Sequence, residues 1–136
     1  MMTRYIAAYA ATLVVMVAVD LVWLGVLARP LYQRGIGHLM AEQADLSFAA
    51  VFYLMYVFGL VYLAIRPNAS ARGSRPAFFA GAALGLFAYA TYDLTNLAVL
   101  RGWPVWLAAI DVAWGTLISG LSTAAGKAAF DGWGNR

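Results

Sequence analysis

Four long apolar runs separated by short polar breaks set the pattern of this chain. Tyr5 to Ala28 is the first, interrupted only by Thr12 and Asp20. Ser47 to Ile65 is the second and carries Phe48, Phe52, Tyr53, Tyr56, Phe58 and Tyr62. Pro76 to Leu100 and Val105 to about Ala125 are the third and fourth. Each approaches the roughly 20 residues that cross a bilayer core as a helix. The first run is too long for the apolar region of a signal peptide, about 7–15 residues, and is expected to be a retained helix. The breaks are Arg29-Pro30, Arg66-Pro67 and Arg101-Gly102-Trp103-Pro104, and a proline disfavours helical geometry at the residue before it. The pattern predicts an all-α membrane protein, a single domain over 1–136, with four transmembrane helices in a bundle. The spans fall at about 5–28, 47–65, 76–100 and 105–125. Between them lie a polar connection, Pro30 to Leu46, with room for a short interfacial helix, and a loop from Asn68 to Arg75. A short tail runs from Lys127.

Composition narrows the class. The 136 residues are 64% hydrophobic and 11% charged, with a mean hydropathy of +0.76. A soluble domain is about half apolar and about a quarter charged. The basic residues are dispersed, which argues against nucleic acid as a partner. With no cysteine and one histidine, His38, the chain lacks thiolate chemistry and the paired-histidine metal motifs. No lysine lies in the middle of a span, so a Schiff-base chromophore is not expected. With four spans both termini share one side, together with Arg4, Arg66, Arg72, Arg75, Lys127 and Arg136; Arg29, Arg34 and Arg101 lie on the other. The asymmetry places both termini in the cytoplasm.

Small residues mark packing faces. Ala77, Gly81, Gly85, Tyr89 and Asp93 form an i+4 row on the third span, and Gly115, Ser119 and Thr123 form one on the fourth. Packing within the bundle is the expected use, and a homodimer or a membrane-complex partner is the alternative. There is also an internal echo. Asp20 to Leu27 and Asp93 to Leu100 agree at five of eight positions. Two repeated helix pairs, related by an axis along the membrane normal, would produce it; so would chance among common apolar residues.

The candidate chemistry is carboxylic. Asp20, Asp93 and Asp111 each fall about seven or eight residues from the same membrane boundary, roughly 10–13 Å deep at helical rise. Tyr53 and Tyr56 reach similar depth. Tyr89 and Asn96 share the helical face of Asp93, with Tyr92 adjacent. Charged groups at such depth should face the bundle interior and find partners there. Three like charges with no cation in the spans cannot all stay ionised. The cluster therefore carries protons, or holds a cation from outside, or is a hydrogen-bond network that only joins helices. Asp20-Leu-Val-Trp23 recurs in form as Asp111-Val-Ala-Trp114, so Trp23 and Trp114 could wall a cationic ligand or simply pack.

Asp20-x-x-Trp23-x-Gly25, Phe52-Tyr53, Tyr92-Asp93-Leu94-Thr95-Asn96-Leu97-Ala98 and Asp111-x-x-Trp114-Gly115 resemble a family of small bacterial membrane proteins, domain-of-unknown-function family 2177. The similarity covers nearly the whole chain, and Tyr-Asp-Leu-Thr-Asn is its most specific part. The resemblance implies a polytopic inner-membrane protein in contact with membrane lipid. It supplies no activity and no cofactor.

Three functions fit these residues. One is binding or movement of a small cation or proton-coupled solute. Another is a lipid- or isoprenoid-directed enzyme with an aspartic acid as general acid, where a carboxylate-bound Mg²⁺ would also be admissible. The third is a non-catalytic subunit or assembly factor of a membrane complex. The chain alone does not decide whether it is an enzyme. Asp93, with the densest polar surroundings in any span, is expected to be the functional centre, and Asp20 and Asp111 its supports.

Overall fold

The computed structural model describes Met1–Arg136 and contains helices but no strand. Four helical segments are long and apolar enough to cross a membrane: Met2–Leu27, Leu46–Asn68, Arg75–Val99 and Val105–Gly134. The α-helices within them and between them are α1 (Met2–Val22), α2 (Arg29–Ile36), α3 (Leu46–Leu60), α4 (Arg75–Val99) and α5 (Val105–Gly134).

Burial runs opposite to that of a soluble protein. Thr12, Asp20, Asp93, Asp111, Ser119, Ser122, Thr123 and Lys127 are buried, whereas Val14, Phe48, Phe58 and Phe87 are exposed. Ionisable and hydroxyl groups turn inward because hydrocarbon offers them no partners.

Arg29-Pro30 and Arg66-Pro67 mark the ends of the first two spans, as expected: the first ends at Leu27, and the second passes into a short 3-10 turn, Arg66–Asn68. Just before each pair the helix widens into a π turn, Trp23–Leu27 and Val61–Ile65. In the first, the amide of Ala28 donates to the carbonyl of Trp23 at 2.7 Å. A wider turn relieves the crowding that proline imposes on the preceding residues. α2 then begins at Arg29 with Pro30 in its first turn, where a missing N–H costs nothing. The fourth span does not end near 125 but continues to Gly134. There Lys127 is fully buried, its Nζ donating to the carbonyl of Ala71 at 3.0 Å and to both oxygens of Asp131 at 2.6 Å. Neutralised one turn away on its own helix, the lysine lets the helix run on and ties it to the loop before α4.

α5 is the axis of the bundle. α1 runs antiparallel to it, through Ala8 beside Phe130, Thr12 against Gly126, Met16 beside Ile118 and Asp20 bonded to Trp114. α4 packs along its other side through the two small-residue rows. A side-chain carbon on Gly81 would strike Thr123, one on Gly85 would strike Ser119 and the carbonyl of Gly115, and one on Gly115 would strike the ring of Tyr89. The rows are thus occupied within one chain. α3 behaves differently. It packs on α1, and its π turn Val61–Ile65 packs on α1, α4 and α5. Val57 and Leu60 join Met16 and Ile118 in a buried cluster. From Tyr56 toward Leu46, α3 stands off α4. Asp45 caps its start, accepting from the amide of Ser47 at 3.0 Å. The Ser47 hydroxyl and amide hold the Asp45 carboxyl below the usual carboxylate range.

Because Gly85 meets backbone as well as side chain, Gly85→Ala should lower stability by about 1–3 kcal/mol, the range for overpacking a filled contact. Gly59 has nothing within 4 Å of an added side-chain carbon, so Gly59→Ala should be neutral or better. Thermal unfolding in one detergent compares them; equal melting temperatures would mean that the α4–α5 seam is not close-packed.

Candidate functional site

The gap between α3 and α4 is one side of a cavity of about 520 Å³. Asp20 comes to it from α1, Asp93 from α4 and Asp111 from α5. They are exposed by only 6%, 1% and 9%, too little for water alone to solvate them. The floor is Tyr56, whose hydroxyl pairs with that of Ser119 at 2.6 Å and whose ring meets that of Tyr89 edge-on at 6.4 Å. α2 and the turn before α5 close the opposite end. Gly35 of α2 sits so near α5 that an added carbon would lie 2.9 Å from Leu107, and Tyr32 and Trp103 project into the cavity wall.

Each carboxyl has aromatic donors from other elements. Asp20 accepts from the hydroxyl of Tyr53 and, at 3.0 Å, from Nε1 of Trp114. Asp111 accepts from the hydroxyl of Tyr32 at 2.5 Å, and Trp23 Nε1 reaches that same hydroxyl at 3.5 Å. Trp23 and Trp114 stack face to face, 4.2 Å apart and 7° from parallel. The two Asp-x-x-Trp segments therefore serve each other across antiparallel helices: Trp114 holds Asp20, and Trp23 holds Asp111 through Tyr32. Burial of the Tyr32 phenol and its bond to Asp111 push its pKa up, so it keeps its proton and donates it to Asp111 while accepting from Trp23.

Asp93 is the exception. Its Oδ1 accepts a long bond from Trp103 Nε1 at 3.4 Å, and its Oδ2 is buried with no donor at all. The carboxyl of Asp111 lines the same cavity. A proton on Asp93 would supply the missing donor. On its other side Asp93 borders a second, apolar groove of about 810 Å³ between α4 and α5, lined by Phe79, Leu86, Leu94, Val112 and Leu117 among others.

Nine of the ten residues expected at the site line the cavity: Asp20, Asp93, Asp111, Tyr53, Tyr56, Tyr89, Tyr92, Trp23 and Trp114. Asn96 does not. Trp103 reaches Asp93 in its place, and Asn96 stands half-buried outside the cavity. Thr91 and Thr95 face outward and bond to backbone carbonyls of their own helix. The polar stretch around Asp93 is thus shared between cavity and lipid faces. The unforeseen members include Tyr32, Trp103, Ile36 and Leu107. The first two carried a signal: both are aromatic residues in connections at the boundary nearer the carboxylates.

Such a proton on Asp93 has a spectroscopic signature. The protein should show a hydrogen-bonded carboxylic-acid C=O stretch in the infrared, lost in Asp93→Asn and kept in Asp45→Asn. Its absence from the unmodified protein would mean that Asp93 is ionised.

No match was found among curated proteins or among solved structures. One family model does match, described as "Predicted membrane protein (DUF2177)", over residues 5–128. That match takes in all four apolar runs and every carboxyl of the cavity, and the chain belongs to the DUF2177 family of membrane proteins.

Proposed function

We propose that the protein binds, and by alternating exposure moves, a small cation or proton-coupled solute at the Asp20–Asp93–Asp111 cavity. One observation carries this reading: three buried carboxyls from three helices face one cavity, and no basic residue lines it. Buried ionisable groups in a membrane are costly and mark ion or proton pathways. Where they serve only to join helices, each bond contributes about 0.6 kcal/mol, a small return for three such groups. A proton on Asp93 can be exchanged there for an incoming positive charge. A bacterial inner membrane is the proposed location, with both termini cytoplasmic, on the basic-residue asymmetry. A homodimer would supply the helices that four spans lack for a whole transport path.

A second reading, acid catalysis on a lipid, draws on the apolar groove that reaches Asp93 from the α4–α5 side. There a proton on Asp93 would pass to a bound lipid, Asp93 acting as general acid.

Asp93→Asn keeps size and hydrogen bonding while removing ionisation. It should fail to rescue a deletion strain although the protein inserts and accumulates normally. Full rescue would reduce the cluster to helix joining. For orientation, reporter fusions in the Asn68 loop and after Arg136 should both signal cytoplasm; a periplasmic signal from either refutes the proposed topology.

A further inference from the structure

We infer that the ligand of this cavity is an amphiphilic primary ammonium, an –NH₃⁺ head on an apolar body, that enters sideways from the leaflet containing α2. The inference rests on the cation reading above and names its substrate class.

The head group follows from the balance of donors and acceptors. Tyr32, Tyr53, Trp103 and Trp114 all spend their donors on the three carboxyls. Trp23 spends its donor on Tyr32, and the Tyr56 hydroxyl is paired with that of Ser119. The hydroxyls of Tyr89 and Tyr92 are the two unspent donors on the wall. Each carboxylate offers about four acceptor sites, so acceptors are left in surplus. Asp93 Oδ2, on a residue only 1% exposed, has no donor from the protein. A ligand that fits this surplus brings donors and positive charge. A carboxylate or phosphate would bring more acceptors to a site already short of donors. An ammonium carries three N–H donors, one of them for the unserved Oδ2 of Asp93, and the aromatic walls favour a cation at their faces.

The body follows from size and lining. No three carboxylate or histidine side chains stand close enough together to share one metal ion. A bare cation would also leave most of about 520 Å³ unfilled, and 14 of the 17 lining residues are hydrophobic. Cavities of roughly 300–1,000 Å³ with apolar walls and a few converging polar groups suit small organic molecules.

The route follows from packing. α2 and Trp103 cover the cavity at the membrane boundary, while α3 stands off α4 from Tyr56 outward. Ala49 and Phe52 on α3 face Ala88 and Tyr92 on α4 across this gap. Phe52 and Tyr92 are 38% and 53% exposed, so the gap opens at a depth where lipid chains, not water, lie outside. An amphiphile already in the bilayer meets it there tail first or side on.

The test uses the full-length protein in phosphatidylcholine nanodiscs, read by intrinsic tryptophan fluorescence. Octylammonium, octanol, octanoate and methylammonium are titrated against it. Octylammonium should give a saturable change with a Kd at least tenfold lower than each of the others. Asp93→Asn should erase that preference. The four-probe comparison on the unmodified protein decides the question even if the variant misfolds. Methylammonium binding as tightly as octylammonium would overturn the amphiphile and leave the small-cation reading standing. Octanol or octanoate binding as tightly as octylammonium would overturn both.

Discussion

Carboxyl groups placed in hydrocarbon without a basic partner must be given donors by the protein, and most of this structure answers that demand. The donors come from aromatic side chains that also tolerate lipid. Tyr53 and Trp114 serve Asp20, Tyr32 serves Asp111, and Trp103 reaches Asp93. A tyrosine or tryptophan hides its body in an apolar wall and offers one N–H or O–H at its tip. A lysine or arginine in the same place would neutralise the carboxyl and leave nothing for a ligand to do. Where a lysine is buried, at Lys127, it is locked to Asp131 and a carbonyl, far from the cavity in the chain and at the opposite end of the bundle. The two ends therefore treat charge in opposite ways: one is closed by an internal ion pair, and the other is left acidic.

That division matches the packing. Toward the Lys127 end, Gly126 admits Thr12 and Ile65, Gly81 admits Thr123, and Val57, Leu60 and Ile118 fill the space between helices. Toward the other end the small-residue seam still holds α4 to α5, but α3 loses contact with α4 and the cavity opens. Aromatic residues, too large to interdigitate closely, replace glycine and alanine around it. The helices are gripped at one end and spread at the other, so a ligand can enter without breaking the core.

The four spans are legible in the chain because length and hydropathy alone decide them. Equal depth of Asp20, Asp93 and Asp111 is legible too, since helical rise converts residue counts into distance. What depth cannot give is azimuth. Asn96 has the spacing to join Asp93, yet a tryptophan from a turn takes the position, and no periodicity extends through Arg101-Gly102-Trp103-Pro104 to reveal it. Tyr32 was hidden for the same reason. It belongs to a helix of eight residues whose seat on α5 depends on Gly35 fitting against Leu107 and Pro104, a contact between distant parts of the chain. The continuation of α5 past Lys127 was hidden because a charge at the end of an apolar run reads as a boundary until its partner four residues later is seen to be paired with it. The echo between Asp20 to Leu27 and Asp93 to Leu100 relates α1 to α4, whereas the reciprocal aspartate–tryptophan pairing joins α1 to α5.

The unequal satisfaction of the three carboxyls assigns them different parts. Asp20 receives two donors from two helices and is held in place; moving it would break both bonds and the stacked tryptophans behind them. Asp111 receives one donor and lines the cavity that Asp93 also lines. Asp93 receives only a long bond and has an oxygen without a donor, although it is the most deeply buried of the three. A group fixed by several short bonds resists change, whereas one that lacks a partner gains most when a donor arrives. A proton or an ammonium hydrogen entering the cavity therefore lowers its free energy most at Asp93. Asp20 anchors the wall, and Asp111 couples the two through Tyr32 and Trp23. The same asymmetry places the responsive carboxyl on α4, the helix across the gap from the loosely held end of α3. Binding at Asp93 and closure of that gap would then draw on one set of contacts.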